Sequence, residues 1–403
     1  MRRYAFILIS VLSAVAMTRA QQPAPLTLDG ALAQALAANK TIAAARMTRA
    51  VDQAAIDVAH ERPNPDISFE TSRDSPRQTF MASVPLELGG KLDSRVKVAT
   101  AAAFAGEAET ERVIVGVRND VRRAYFTLLA AERKTTLTDE LQTLMRRAQD
   151  AAQARLAAGD VAQIDVDQAE MAYEDAASQS TGARGEVTAA RAELNTLLGR
   201  PVGAAVTLAD DFTSTPLPPV SAVVAQAALE NADLRVLDRR MAEQTARRDA
   251  AKAMQTSDVT ASGGLDMNAS PDFNFGWRAG ISMTVPLFTR HRAGVAVEEA
   301  ALARLRAERE AMVAGIVGGA SAALARAEAA REQFEAFQTR ILPRAMAVQA
   351  KKEDAYRSGQ TPIGDYLLAL QQANDVRTRG LEAGLAYQLA LADLERAIGA
   401  SLK

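Results

Sequence analysis

Hydrophobic and polar residues alternate strictly over residues 273–285, FNFGWRAGISMTV. Phe273, Phe275, Trp277, Ala279, Ile281, Met283 and Val285 share one face, and Asn274, Gly276, Arg278, Gly280, Ser282 and Thr284 share the other. A period of two marks a β-strand with one apolar face. Val259, Ala261, Gly263, Leu265 and Met267 alternate in the same way with Asp258, Thr260, Ser262, Gly264 and Asp266. Earlier in the chain Ile67 and Phe69 oppose Asp66, Ser68 and Glu70, while Phe80, Ala82, Val84 and Leu86 oppose Met81 and Ser83. The pattern therefore predicts four strands, near 65–72, 78–87, 257–267 and 273–286.

Elsewhere the apolar positions step by three and four. Ile114, Val117, Val121, Tyr125 and Leu128, then Leu137, Leu141, Leu144 and Ala148, form a narrow stripe of coiled-coil type. A helix is predicted from about 28 to 62, N-capped by Thr27 and ended by Pro63 and Pro65, since proline removes an amide donor and restricts its predecessor. After the first two strands a second helix runs from about 92 to 158. At 1.5 Å per residue it is roughly 100 Å long, far beyond an ordinary globular helix. Gly159 breaks it, and a return helix from about 161 to 198 ends at Gly199 and Pro201. Pro343, inside a later helical pattern, is expected to kink or interrupt its helix.

This order of elements occurs twice. Ala33, Gln34, Ala35 and Asn39 match Ala225, Gln226, Ala227 and Asn231, 192 positions on. Val84-Pro85-Leu86 matches Val285-Pro286-Leu287 at an offset of 201, and Gly159, Asp165, Ala169, Leu194 and Gly199 match Gly359, Asp365, Ala369, Leu394 and Gly399 at 200. Alanine matches between helices mean little, but Gly, Asp, Pro and Asn in a fixed order indicate duplication. The chain divides into a first repeat, 21–212, a proline-rich linker, 213–220, and a second repeat, 221–403.

Composition narrows the function. The 403 residues carry 47 Lys+Arg against 49 Asp+Glu, so no basic excess attracts nucleic acid. Cysteine is absent, which excludes disulfides and thiolate chemistry. The hydrophobic 48% is rich in alanine, suited to close-packed helix seams rather than a bulky core. Residues 1–20 (MRRYAFILISVLSAVAMTRA) read as a signal peptide, with Arg2 and Arg3 before an apolar run and Thr18 and Ala20 at the cleavage site; an uncleaved N-terminal anchor is the other reading. No later segment has 18 consecutive apolar residues. No phosphate loop, catalytic triad or metalloprotease motif appears, so the chain is read as a non-enzyme without a cofactor. His60 and His291 are read as solvated, and the 12 methionines are scattered, so no metal site is expected.

Strands of about ten residues suit a tilted transmembrane β-strand. Alternation alone equally fits two soluble amphipathic hairpins. If the strands enter lipid, four of them cannot close a barrel, and open edges leave backbone groups unsatisfied. Membrane insertion would then require an oligomer sharing one barrel, with Phe69, Phe80, Phe273, Phe275, Trp277 and Ile281 on the lipid face.

The duplicated plan, the runs Val84-Pro85-Leu86-Glu87-Leu88-Gly89-Gly90-Lys91 and Val285-Pro286-Leu287-Phe288, and the two Gly-x5-Asp breaks resemble the TolC family of outer-membrane efflux channels across essentially all of the mature chain. The Pro-Leu-Glu-Leu-Gly-Gly-Lys run resembles the cobalt–zinc–cadmium branch. The resemblance implies a mainly α fold with a small β part: a homotrimer whose coiled-coil-like helical barrel carries a shared twelve-stranded transmembrane β-barrel. It implies a passive outer-membrane channel of a Gram-negative bacterium with a periplasmic extension, and as partners a periplasmic adaptor and an inner-membrane pump of the RND type. A wholly periplasmic coiled-coil adaptor or scaffold is the alternative.

By the same resemblance the helix breaks form the closed tip. Asp365 is the first gate candidate, with Tyr356 in a latch and Asp165 beside them. Thr361 and Leu368 stand where the family often has an arginine and a carboxylate, so the latch here is simpler. Arg155, Leu156, Gly159, Arg357, Ser358 and Gly359 are candidate adaptor contacts. Three symmetry-related Asp365 carboxylates in a constriction would favour cations; the plainer role for Asp165 and Asp365 is N-capping of the helix after each break.

Overall fold

The computed structural model describes residues 25–270 and 273–401. The expected signal peptide at 1–20 lies outside the described residues. Nine α-helices and four strands appear among the described residues: α1 (Leu28–Ala38), α2 (Lys40–His60), β1 (Asp66–Thr71), β2 (Gln78–Leu86), α3 (Lys91–Ala158), α4 (Gln163–Leu197), α5 (Val220–Glu230), α6 (Ala232–Ala253), β3 (Val259–Ala269), β4 (Phe273–Met283), α7 (Arg292–Ala336), α8 (Leu342–Arg357) and α9 (Ile363–Ile398).

The predicted helix over 28–62 is two helices. Asn39 is extended (φ −64, ψ 129), and its side-chain oxygen accepts from the Thr41 and Ile42 amides, capping α2. Its side-chain amide donates to Leu197 O at 2.8 Å, at the end of α4. Periodicity does not register this break, because Asn39 exchanges one turn of helix for a cap and a long-range anchor. Asn231 does the same between α5 and α6: it accepts from Asp233 and Leu234 and donates to Ala397 O at 3.0 Å. Gly199 and Gly399 close the helices they dock against. Both have positive φ (66 and 87), and a Cβ on either would strike a backbone carbonyl, that of Ala38 or of Glu230.

α3 holds 68 residues without a break. Its stripe packs with α1, α2 and α4 through Val117, Val121, Tyr125 and Leu128 against Ala31, Ala35, Ile42, Ala190 and Leu194. α5, α7 and α9 build the matching layer from Val223, Ala227, Ala320, Leu324, Leu394 and Ile398. The layers are tied by Asn119, which donates to Ala392 O at 2.6 Å, and by the half-buried Arg122–Glu395 pair at 2.8 Å. Residues of the linker lie against α9: the Tyr387 hydroxyl donates to Thr215 O (3.0 Å) and accepts from Thr215 N (3.1 Å). At Pro343 the helix is not interrupted. A π-helical turn, Phe337–Ile341, leads straight into α8. The wider turn relieves the clash of the proline ring with the preceding turn, where the missing donor would otherwise kink the helix.

The strands form one antiparallel sheet in the order β1-β2-β3-β4. The register lines up the apolar positions in rows: Phe69 opposite Phe80, Phe80 opposite Leu265, and Leu265 opposite Trp277. Phe275 lies opposite Met267 and Ile281 opposite Ala261. A one-residue slip would break every row, so both hairpins share one apolar face. That face is bare: Phe69 is 59% exposed, Trp277 79% and Ile281 81%, with Phe80 and Phe275 exposed as well. Phe273 continues the face by pairing with Ala269; its side chain lies outside the described residues. On the other face Asp266 is buried, accepting from Thr79 at 3.0 Å and pairing with Arg278 at 2.8 Å.

Candidate gate at the helix tips

Both helical hairpins turn by the same device. Gly159 (φ 82) donates to Leu156 O, and Asp160 donates back to Arg155 O, both at 2.9 Å. Gly359 (φ 76) donates to Tyr356 O at 3.1 Å, and Gln360 to Ala355 O at 2.8 Å. These are left-handed caps that satisfy the last carbonyls of α3 and α8. Nothing lies within 4 Å of a Cβ built on either glycine, so backbone conformation alone requires glycine there.

The two equivalent aspartates do different things. The Asp165 carboxylate accepts from the Ala162 amide at 3.2 Å, a capping bond at the start of α4. Asp365 occupies the matching place in α9, yet its side chain pairs with Lys352 on α8 at 3.2 Å and remains about half exposed. The Ala162 amide is free to donate, whereas α9 is preceded by Pro362, which has no N–H. That difference releases Asp365 from capping.

Behind the tips lies a shared core of Leu141, Met145, Ala148, Val166, Ala169, Leu367 and Leu370 with Tyr356, Ile363 and Tyr366. The Tyr356 and Tyr366 rings stack at 4.9 Å with 6° between planes. The Arg155 guanidinium sits 4.6 Å from the centre of the Tyr356 ring, a cation–π contact, and also donates to Tyr356 O at 3.4 Å. The Tyr356 hydroxyl is buried without a hydrogen-bond partner. Burial, with the Glu353 carboxylate adding to it, pushes the Tyr366 hydroxyl above its ordinary value, so it stays neutral.

The structure thus brings Arg155, Tyr356 and Asp365 into one region and divides the six proposed adaptor contacts. Arg155 and Leu156 turn inward, Leu156 against the shared core. Gly159, Arg357, Ser358 and Gly359 are exposed at the turns, with Arg357 paired to Glu353. The Thr361 hydroxyl makes no hydrogen bond among the described residues, and the Leu368 side chain, which has no polar group, is exposed. Sequence reading missed Lys352 and Tyr366. Lys352 lies one turn before Tyr356 on the same helix face, which was its only signal. His60 and His291 are exposed, and no group of acidic or histidine side chains among the described residues is arranged to hold a metal ion.

A long helical body is set on a four-stranded sheet whose apolar face is bare. The chain belongs to the family described as outer membrane efflux protein, which it matches over residues 31–200 and again over 223–400. This places it in the outer membrane with the helices on the periplasmic side, and displaces the reading of a wholly periplasmic scaffold. It is 25% identical to the cobalt-zinc-cadmium resistance protein CzcC of Cupriavidus metallidurans over 386 residues, 93% of this chain and 84% of that protein. Among solved structures it is similar to the Campylobacter jejuni CmeC outer membrane channel (TM-score 0.78, 16% identity, 92% of this chain and 85% of that one). It is likewise similar to the open Neisseria gonorrhoeae MtrE channel (0.76, 20%, 93% and 89%) and to CusC (0.76, 17%, 93% and 92%).

Proposed function

We propose that three copies of this chain form a passive outer-membrane duct for divalent metal ions, working with a periplasmic adaptor and an RND-type inner-membrane pump. The observation that carries the trimer is the sheet. It has four strands, an exposed apolar face, and outer edges at β1 and β4 that pair with no other strand among the described residues. In lipid such edges must be paired, and three copies give twelve strands, an even number within the range of known barrels. Exposed apolar residues on α2 (Met47, Val51, Val58) and on α4 (Ile164, Met171) offer further seams to a neighbouring copy. The metal cargo rests on the likeness to the resistance protein CzcC and on the Pro85-Leu86-Glu87-Leu88-Gly89-Gly90-Lys91 run.

In this reading Asp365 lines the constriction at the tip, Tyr356 and Arg155 hold the second hairpin against the first, and Asp165 keeps a capping role. The exposed turn residues Gly159, Arg357, Ser358 and Gly359 receive the adaptor. The test joins two measurements. The detergent-solubilised protein should have the mass of a trimer and conduct ions in planar bilayers. Deletion of its gene should sensitise cells to zinc, cobalt or cadmium. Drug sensitivity without metal sensitivity would reject the metal cargo, and a monomer soluble without detergent would reject the duct.

A further inference from the structure

The turn from strand to helix occurs twice, and its two copies are built differently. Glu87-Leu88-Gly89-Gly90-Lys91 leads from β2 into α3; Phe288-Thr289-Arg290-His291-Arg292 leads from β4 into α7. The residue just before each helix is left-handed: Gly90 at φ 72, ψ 24, and His291 at φ 51, ψ 13. Glycine adopts this conformation freely, whereas histidine does so under strain. A strained residue kept where the other copy uses glycine points to a demand beyond the turn itself.

The charges diverge too. In the first copy Lys91 is buried and paired with Asp258 at 2.6 Å, and Glu87 pairs with Arg95 at 2.7 Å. In the second, Phe288 stands in place of Glu87 and Arg290 in place of Gly89. Arg290, His291 and Arg292 are all exposed, and none has an ion-pair partner among the described residues. Phe288 is 99% exposed. It directly follows the apolar run of Ile281, Met283, Val285 and Leu287, every one of them exposed.

We propose that this turn binds anionic phospholipid headgroups of the membrane leaflet facing the helices. The proposal rests on the membrane reading of the sheet given above. Continuity with the bare strand face puts Phe288 where acyl chains meet headgroups, the depth at which aromatic rings sit at membrane interfaces. Arg290 and Arg292 then reach the phosphate layer, where guanidinium donors match phosphate oxygens in pairs. A zwitterionic headgroup brings its own ammonium to compete for those oxygens, so the site discriminates by net charge. Each arginine near an anionic surface is worth about fivefold in binding, so the two together give a preference on the order of tenfold or more.

The chain has a single tryptophan, Trp277, on the lipid face of β4. This permits a direct test with the full-length protein in phosphatidylcholine vesicles containing brominated phosphatidylglycerol or brominated phosphatidylcholine. In the wild-type protein both brominated lipids should quench Trp277 to the same degree. In a Trp277→Phe, Phe288→Trp variant, which moves the reporter to the turn, brominated phosphatidylglycerol should quench on the order of tenfold more effectively per mole. Adding Arg290→Gln and Arg292→Gln should bring that ratio near one. A ratio near one before the glutamine changes, or one unaltered by them, overturns the proposal. Absence of quenching at position 288 by either lipid, with Trp277 quenched normally in the wild type, means that a second copy of the chain covers the turn, and also overturns it. If Trp277 itself is not quenched, the membrane reading fails and takes the proposal with it.

Discussion

Arg155 and Tyr356 lie 201 positions apart, yet the guanidinium of one rests 4.6 Å from the ring centre of the other. This contact joins the first hairpin to the second at the tip, beneath turns of the same left-handed design. It is a contact between side-chain faces rather than a hydrogen bond to the Tyr356 hydroxyl, which is buried and unpartnered.

Removing the charge and keeping the ring should therefore separate two effects. Arg155→Ala forfeits a partly desolvated cation–π contact of about 1–2 kcal/mol, and should raise conductance of the closed channel in planar bilayers. Tyr356→Phe keeps the ring and removes a buried hydroxyl that has no partner. Its thermal unfolding temperature should hold or rise, since an unsatisfied buried polar group costs about 1–3 kcal/mol. A large loss of stability in Tyr356→Phe would show that the hydroxyl is bonded in the assembled channel.

Asp165 and Asp365 should separate in the same assay. Asp365 is half exposed and, among the described residues, its carboxylate pairs with Lys352 alone. Asp365→Asn should reduce the preference for cations over anions measured from reversal potentials, because a ring of carboxylates favours cations. Asp165→Asn should leave selectivity unchanged and cost at most about 1 kcal/mol of stability through its capping bond. Equal loss of selectivity in the two variants would contradict the assignment.

The glycines divide into two classes. Gly159 and Gly359 meet nothing within 4 Å, so Gly359→Ala should cost only the left-handed strain, about 1–2 kcal/mol. Gly199→Ala adds a collision with the Ala38 carbonyl, 2.5 Å from the new Cβ, and should destabilise clearly more, read as a lower midpoint in denaturant. Asn39→Ala, which loses a cap and a bond to Leu197 O, should cost about 1–3 kcal/mol, as should Asn231→Ala.

The two faces of the sheet should respond oppositely to charge. Trp277→Arg places a charge on the apolar face, at about 2–4 kcal/mol near mid-membrane, and should lower the amount of protein recovered in the outer membrane. Ser282→Arg, on the polar face next to Ile281, should be recovered at the wild-type level and change conductance instead. Comparable loss of both variants would count against the assignment of faces.

Much of this molecule was legible along the chain because its information is local and periodic. The alternation at 273–285 determined which side chains share the face of β4, and the register of the sheet left that face intact. The matched Asn39 and Asn231 identified two positions that perform one task. What the chain alone did not disclose depends on groups distant in sequence. The break of α1 from α2 at Asn39 exists because Leu197 O, 158 positions away, accepts its side chain. The choice of Asp165 for capping and Asp365 for an ion pair depends on Lys352 and on the amide that Pro362 lacks. The inward turn of Arg155 depends on a ring in the other half of the chain. Sequence determined the strands, the long helices and their apolar faces, since each follows from backbone periodicity. Tertiary structure decided the partner of each polar side chain, since a hydrogen bond or a ring contact is defined by distance in space.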